Sequence, residues 1–403
     1  MATNFFSFDQ TPSENTPLTD IDPDLNFFND YYLTQSSYHT SIPSNDNYNL
    51  SLFHLNVRSL PKNNDNLYTY LETLSIDFDV IALSETWLTP HTCQLPYISP
   101  CYNHIYNTRN NKMGGGVSLF IHNKYSHTPI TDLYISNESI ECIFTQFNST
   151  IASKPIIIGC VYRPPNTDAQ IFLSELTNIL KHPKLQRKSC FILGDFNFNL
   201  LNHDSHTDTA DFTNTFFANN FVPLITKPTR ITLHSSTLID NIFTNTTDFQ
   251  SSLSGILLTD ISDHLPVFHL SKALSPVTPT HRENPHPRPL VNARTLSNMN
   301  RTLLTTDWTN ILATQDPSQA YTQFISKISQ AYTQNIPLNN TRNRGANKPW
   351  ISDLLLSSIK RKNKLYTIYL RHKNPTSFQY YKQYKNTLTK AIAAAKKKHY
   401  SDQ

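Results

Sequence analysis

Three apolar runs that each lead into polar residues, together with a fourth polar cluster downstream, constrain this chain more than any other feature. Leu52-Phe-His-Leu runs into Asn56, Val80-Ile-Ala-Leu-Ser into Glu85, and Phe191-Ile-Leu-Gly into Asp195 and Asn197, while Ser262-Asp263-His264 lies between Thr259 and Val267. Short apolar runs bounded by polar residues read as buried strands. Strand ends that bring carboxylate, amide and imidazole groups to one edge of a sheet are how a metal-assisted hydrolytic site is usually built.

The rest of the chain limits what such a site can belong to. Its 403 residues leave room for two domains, and 38% apolar residues with a mean hydropathy of −0.43 describe a soluble protein with irregular stretches. No apolar run approaches the ~18 residues of a membrane-spanning helix. The start, Met1-Ala-Thr-Asn-Phe-Phe-Ser, lacks the basic residues and long apolar core of a secretory signal. A nuclear or cytoplasmic location with no membrane partner is therefore expected. Cys93, Cys101, Cys142, Cys160 and Cys190 include no Cys-x-x-Cys pair and are odd in number, so reduced thiols are expected.

The net charge of +4 conceals an asymmetry. Residues 342–403 hold 15 Lys and Arg against two acidic residues, a net of +13, which leaves residues 1–341 with 19 basic against 28 acidic, a net of −9. An acidic body suits a divalent cation and a basic tail suits a polyanion, although a solvated helix face would look the same.

Glycine and periodicity divide the chain. Residues 1–49, rich in Asn, Ser, Asp and Tyr without period, are expected to be mostly disordered. Residues 50–272 contain six of the seven glycines and read as one α/β domain. Its strands are expected at 51–56, 79–84, 102–107, 116–122, 130–135, 141–147, 155–162, 189–194, 239–243 and 266–270, with helices near 64–75, 168–181 and 208–220. Gly114-Gly-Gly is followed by no Lys-Ser/Thr and reads as a hairpin turn rather than a phosphate cradle. Residues 273–292, with five prolines, read as a linker, and 293–403 as a helical basic extension. There, Asp316-Pro317 precedes an apolar stripe of Tyr321, Phe324, Ile325, Ile328 and Tyr332. Two further amphipathic helices, about 351–372 and 377–399, flank Asn374-Pro375, and the stripe Tyr381, Tyr384, Leu388, Ile392 and Ala395 is expected to pack on the helix before it.

In chain order the polar clusters resemble the endonuclease/exonuclease/phosphatase superfamily, and in detail the endonuclease of LINE-type (non-LTR) retrotransposons, over about residues 50–272. The resemblance rests on Asn56-Val-Arg-Ser-Leu, Ser84-Glu-Thr-Trp87, Val161-Tyr-Arg-Pro-Pro165, Gly194-Asp-Phe-Asn197 and Ser262-Asp-His264, supported by Gly114-Gly-Gly-Val and Thr237-Leu-Ile-Asp-Asn-Ile-Phe243. Lys348-Pro-Trp-Ile and the Lys-rich helices after it look like the segment that joins endonuclease to reverse transcriptase in these elements; no polymerase-like Asp-Asp pair is present.

The resemblance implies a four-layered α/β sandwich like that of DNase I, two packed mixed sheets flanked by helices, followed by an α-helical C-terminal extension. It implies a Mg²⁺-dependent enzyme (Mn²⁺ being an alternative) that hydrolyses DNA phosphodiester bonds, nicking duplex DNA. Glu85 with Asn56 would hold the metal, Asp195 would activate water, and Asn197 and Tyr162 would donate to the phosphate. His264 would contact the same phosphate, oriented by Asp263 in the way a carboxylate stands behind a catalytic histidine. Thr229 and Ser262 would touch substrate phosphate, and Arg163 would be structural. Apurinic endonucleases carry an acidic residue two places after the opening asparagine, where this chain has Arg58, which fits the retrotransposon branch. Two alternatives stay open: an inactive retroelement fragment that binds nucleic acid, including RNA, through its basic helices, and a phosphatase or phosphodiesterase of the same superfamily.

Overall fold

The computed structural model describes residues 30–42, 48–109 (without 75, 94 and 96), 114–147, 155–246 (without 187), 252–271, 288–289, 293–339, 350 and 352–401. The disorder expected for residues 1–29 and most of the expected linker lie outside the described residues.

The first elements are β1 (Asp30–Leu33), α1 (Gln35–Ser41), β2 (Leu50–Asn56), α2 (Leu60–Leu74), β3 (Val80–Ser84), β4 (Tyr102–Asn107) and β5 (Val117–His122). Next come β6 (His127–Pro129), β7 (Ile135–Ser136), β8 (Glu141–Phe147), β9 (Ile156–Tyr162), α3 (Ala169–Leu180), β10 (Ser189–Asp195) and α4 (Thr207–Ala218). The strands β11 (Val222–Pro223), β12 (Arg230–Ile231), β13 (Ser236–Thr237), β14 (Asp240–Thr244), β15 (Ser252–Leu257) and β16 (Val267–Ser271) follow.

Two mixed sheets result, ordered β1-β15-β16-β2-β3-β5-β4 and β11-β14-β10-β9-β8-β6, with β7 also paired to β8. Each is built around the same unit. In one, β2 and β3 run parallel through the crossover α2 with β16 and β5 antiparallel outside them; in the other, β9 and β10 run parallel through α3 with β8 and β14 outside. The units face each other, β10 against β2 and β3, and β9 against β3 and β5. The central strands are covered on both sides, which is why they are apolar without alternation. Leu52, Ala82, Ile143, Cys160 and Leu193 fill the space between the sheets. Helix α2 covers the outer face of the first sheet with Leu60, Leu67 and Leu71, and α3 and α4 cover the second with Phe172, Leu176, Phe212 and Phe216. Two mixed sheets between helices are the architecture that the resemblance implied.

Three expectations need correction. Residues 30–41, read as disordered, form β1 and α1: β1 adds a parallel edge strand beside β15, and Tyr32, Leu33 and Tyr38 are buried. A strand over 130–135 is replaced by a 3-10 turn at Thr131–Leu133. Ile130 and Leu133 both enter the core, a three-residue spacing that strand alternation sends to opposite faces. The basic extension is not one body. The chain forms two compact units, residues 1–280 with 347–403, and residues 281–346.

In the first unit, α8 (Asp353–His372) and α9 (Pro375–Ser401) form a hairpin that turns at Lys373 in the left-handed region. Tyr366, Tyr369, Leu370 and Tyr381 belong to the same apolar core as the sandwich. The second unit contains α5 (Ala293–Leu304), α6 (Thr309–Ala313), α7 (Pro317–Asn335) and the paired strands β17 (Arg288–Pro289) and β18 (Leu338–Asn339). Asp316 caps α7 through the Ser318 N–H with Pro317 in the first turn, as read from the sequence, but Tyr321, Phe324, Ile325 and Tyr332 of its expected stripe are exposed, and Ala331 is buried instead. No helix among the described residues is long and apolar enough to cross a membrane.

Gly194, one residue before Asp195, has no room for a side chain, since a Cβ there would lie 1.9 Å from the Val161 carbonyl oxygen in the neighbouring strand. Gly194→Ala should destabilise the sandwich by about 3 kcal/mol, the upper range for overpacking a core. Chemical denaturation of the two proteins measures this, and equal midpoints would contradict the strand geometry.

Candidate active site

The two parallel strand pairs end at the same edge of the sandwich. Asn56 closes β2 in register with Ser84, so Glu85 is the first residue past β3; Asp195 closes β10 in register with Tyr162 of β9 on one side and Asp240 of β14 on the other. The loops leaving these strands turn sharply. Arg58, Ser59, Glu85, Trp87 and Asn197 all have positive φ, between 43° and 83°. Such conformations cost of order 1–3 kcal/mol each in non-glycine residues and gather where surrounding structure imposes them.

Asn56 ties the site together. Its fully buried amide donates to Asp195 Oδ2 at 2.7 Å and to Glu85 Oε1 at 2.9 Å. Trp87 Nε1 donates to the other Glu85 oxygen at 3.3 Å, and the Tyr162 phenol lies close to Glu85. Asp195 Oδ1 accepts the Asn197 backbone N–H at 3.1 Å. The Asn197 side chain donates to the Arg163 carbonyl at 2.7 Å, and the Arg163 guanidinium in turn donates to the carbonyls of Asn197 and Thr167 above the Phe198 ring. Arg163 is thus a loop-holding charge, as the sequence reading had it.

His264 corrects the sequence reading. Its Nδ1 meets the two Asp240 oxygens at 2.9 and 3.1 Å, and Asp263 is not its partner. Asp263 instead accepts from Arg58 at 3.0 Å and from Arg230 at 2.8 and 3.0 Å. The chain bends through residues 261–263, and the Asp263 side chain leaves it toward Arg58 and Arg230 while the His264 ring leaves it toward Asp240. Thr229 is also corrected. Fully buried, it donates to Asp240 Oδ2 at 2.7 Å and accepts the Asp240 N–H at 3.1 Å, so it holds the carboxylate rather than a substrate phosphate. The Ser262 hydroxyl donates to the Asn56 carbonyl at 2.6 Å and accepts the His264 N–H at 3.1 Å, fastening the His264 segment to β2. Asp240 is the residue that sequence reasoning left out, although it stood inside Thr237–Phe243. The available signal was a carboxylate opening an apolar strand, since a buried aspartate demands a partner.

Electrostatics separates the roles. Burial disfavours a charged imidazole at His264, but Asp240 and then Asp195 outweigh it and hold the pKa up to about 9. Burial, with the Asp240 charge beside it, raises the Asp195 carboxyl well above the usual carboxylate range against the pull of His264. His54, buried beneath, is pushed down to about 4 by desolvation and stays neutral.

Asp195, Asp240 and His264 place ligand atoms within 4.8 Å of one another. They nevertheless make a poor cation cage, because His264 and Asp240 already bond each other and the imidazolium supplies the positive charge. Glu85 and Asn56 fit better. Glu85 is half-buried, and among the described residues no Lys or Arg pairs with its carboxylate; Asn56 Oδ1 receives only the Arg58 N–H at 3.3 Å. Oxygen donors with an uncompensated carboxylate suit a hard divalent ion.

The sandwich and its polar edge define a class of hydrolases acting on phosphate esters. The model of the Endonuclease/Exonuclease/phosphatase family matches residues 47–264, more than half of the sequence, and the chain belongs to that family. No curated protein matches it significantly. Among solved structures it is similar to the endonuclease domain of TRAS1, a telomere-specific non-LTR retrotransposon, at 12% identity and a TM-score of 0.44, covering 56% of this chain and all of that one. The Xenopus laevis APE2 catalytic domain (16% identity, TM-score 0.42, 56% of this chain and 95% of that one) is also similar. So is the apurinic endonuclease LMAP of Leishmania major (14%, 0.43, 55% and 87%).

The folded pKa of His264 stands above the unfolded value of ~6.5, so its contribution to stability is complete below that pH and is lost as pH rises toward 9. In Asp240→Asn the imidazole pKa should fall markedly by NMR titration. The melting-temperature gap between wild type and variant should then shrink from pH 6 to pH 9, and a gap that widens would contradict the His264–Asp240 pair.

Proposed function

We propose that this chain is a Mg²⁺-dependent endonuclease that nicks one strand of duplex DNA and leaves a 3′-hydroxyl. The observation that carries the reading is the pairing, at one sandwich edge, of an Asn56-held carboxylate of raised pKa with an imidazolium held by Asp240. Glu85 and Asn56 would hold the ion, which supplies Lewis-acid neutralisation of phosphate and leaving alkoxide charge when bound.

Asp195 takes the proton of the attacking water, a task that a carboxyl titrating closer to neutrality performs well. His264 commits Nδ1 to Asp240 and so has its Nε2–H to give to a phosphate oxygen. Asn197 keeps one amide N–H beyond the one on Arg163, and Tyr162 brings its phenol to the same edge. Arg58 and Arg230, paired with half-exposed Asp263, place positive charge at the rim for the phosphate backbone. The Arg58 position and the Asn-Val-Arg-Ser and Ser-Glu-Thr-Trp motifs favour the retrotransposon branch over phosphatases of small molecules.

A second reading is a protein that only binds nucleic acid, DNA or RNA, through α8 and α9. It is favoured by the 12 Lys and Arg against a single Asp in residues 353–401.

Supercoiled plasmid with Mg²⁺ should relax to open circles and a chelator should stop it. Asp195→Ala and His264→Ala should each lower the rate by about 10²–10⁴-fold. Asp195→Ala should still bind labelled duplex as wild type does; nicking that survives both substitutions would refute the enzyme reading and leave the binding one.

A further inference from the structure

The segment Thr259–Leu265, which carries His264, is gripped from two sides. Toward the site, Ser262 bonds the Asn56 carbonyl, and Asp263 bonds Arg58 and Arg230. On the other side Asp260 is buried, and its carboxylate accepts the Tyr381 phenol at 2.6 Å, pairs with Lys385 at 3.1 Å and pairs with Lys362. Lys385 Nζ reaches the Asp260 backbone carbonyl as well, at 3.2 Å. Every one of these partners comes from α8 or α9, beyond residue 264 where the family match ends.

The hairpin is fastened elsewhere too. Lys373 Nζ donates to Ser236 Oγ on β13 at 2.8 Å, and Lys396 Nζ to Asp65 on α2 at 2.6 Å, while Tyr366 and Tyr369 lie buried beside Tyr381. Packing alone would account for the tyrosines. It does not account for a desolvated carboxylate gripped by two ammonium groups and a phenol, an arrangement that gains little net stability over an apolar one but holds geometry closely. Burial opposes ionisation of Asp260, yet Lys362 and Lys385 outweigh it and bring its pKa down to about 2.

We propose that the α8–α9 hairpin is a working part of the active site: through Tyr381, Lys362 and Lys385 it fixes Asp260 and thereby sets the position of His264, four residues on. Tyr381 and Lys362 are then positioning residues for phosphodiester hydrolysis, an inference that rests on the nuclease reading above. Displacing a catalytic group by a fraction of a bond length lowers turnover without weakening substrate binding.

The test uses the full chain with Tyr381→Phe and Lys362→Met, each shown folded by its melting curve. Turnover on a nicking substrate should fall about 10- to 100-fold with KM and the salt dependence of binding unchanged, and Lys362→Arg should restore most of it. The His264 imidazole carbon signal, assigned with His264→Gln, should shift in both variants and return in Lys362→Arg. Folded variants with a wild-type His264 signal would overturn the proposal. A raised KM and shallower salt dependence at unchanged turnover would do so as well, marking the hairpin as a DNA contact only. If the wild-type chain does not nick, the nuclease reading fails, and the His264 signal alone decides the clamp.

Discussion

A single buried amide joins the two halves of this protein where its chemistry lies. Asn56 ends a strand of one sheet and Asp195 ends a strand of the other, and their 2.7 Å hydrogen bond crosses the sandwich at its polar edge. Because the same amide also donates to Glu85, one side chain sets the separation between a carboxylate suited to proton transfer and one suited to a metal ion. A buried amide cannot be left unpaired cheaply, so closing the sandwich and assembling the site are one event.

Charge divides the carboxylates into separate tasks. Asp240 neutralises His264 and is held by Thr229, Asp263 engages the rim arginines, Asp260 engages the C-terminal hairpin, and Glu85 pairs with no Lys or Arg among the described residues. Asp195 is buried beside the Asp240 charge and resists ionisation. Similar residue types thus acquire different chemistry from burial and neighbours.

Much of this was legible in the chain. The apolar runs ending at Asn56, Glu85, Tyr162 and Asp195 are strands because their parallel pairing buries both faces, and that burial removes polar residues from the runs and leaves them at the ends. The α9 stripe was equally plain, since Tyr381 and Leu388 are buried at helical spacing. Other features were hidden. β15, Ser252-Leu-Ser-Gly-Ile-Leu, has too little apolar character to announce a strand, and it is the strand that β1 pairs with, while α1 is tied to Thr73 of α2 through Gln35 and His39. The α7 stripe was a true helix signal but a false guide to burial, because a period states which residues share a face and not whether that face is covered.

The sequence by itself determined an α/β domain whose apolar runs end at Asn56, Glu85, Tyr162 and Asp195, because strand period and polar termination are local properties, while the two-sheet sandwich was what the family resemblance of its motifs implied. Only the tertiary structure decided which carboxylate serves His264, that Thr229 supports Asp240, and that Asp260 is answered by lysines about a hundred residues away. Those partnerships depend on which faces meet across sheets and helices, and Coulomb and hydrogen-bond energies depend on separation in space, which spacing along the chain does not encode.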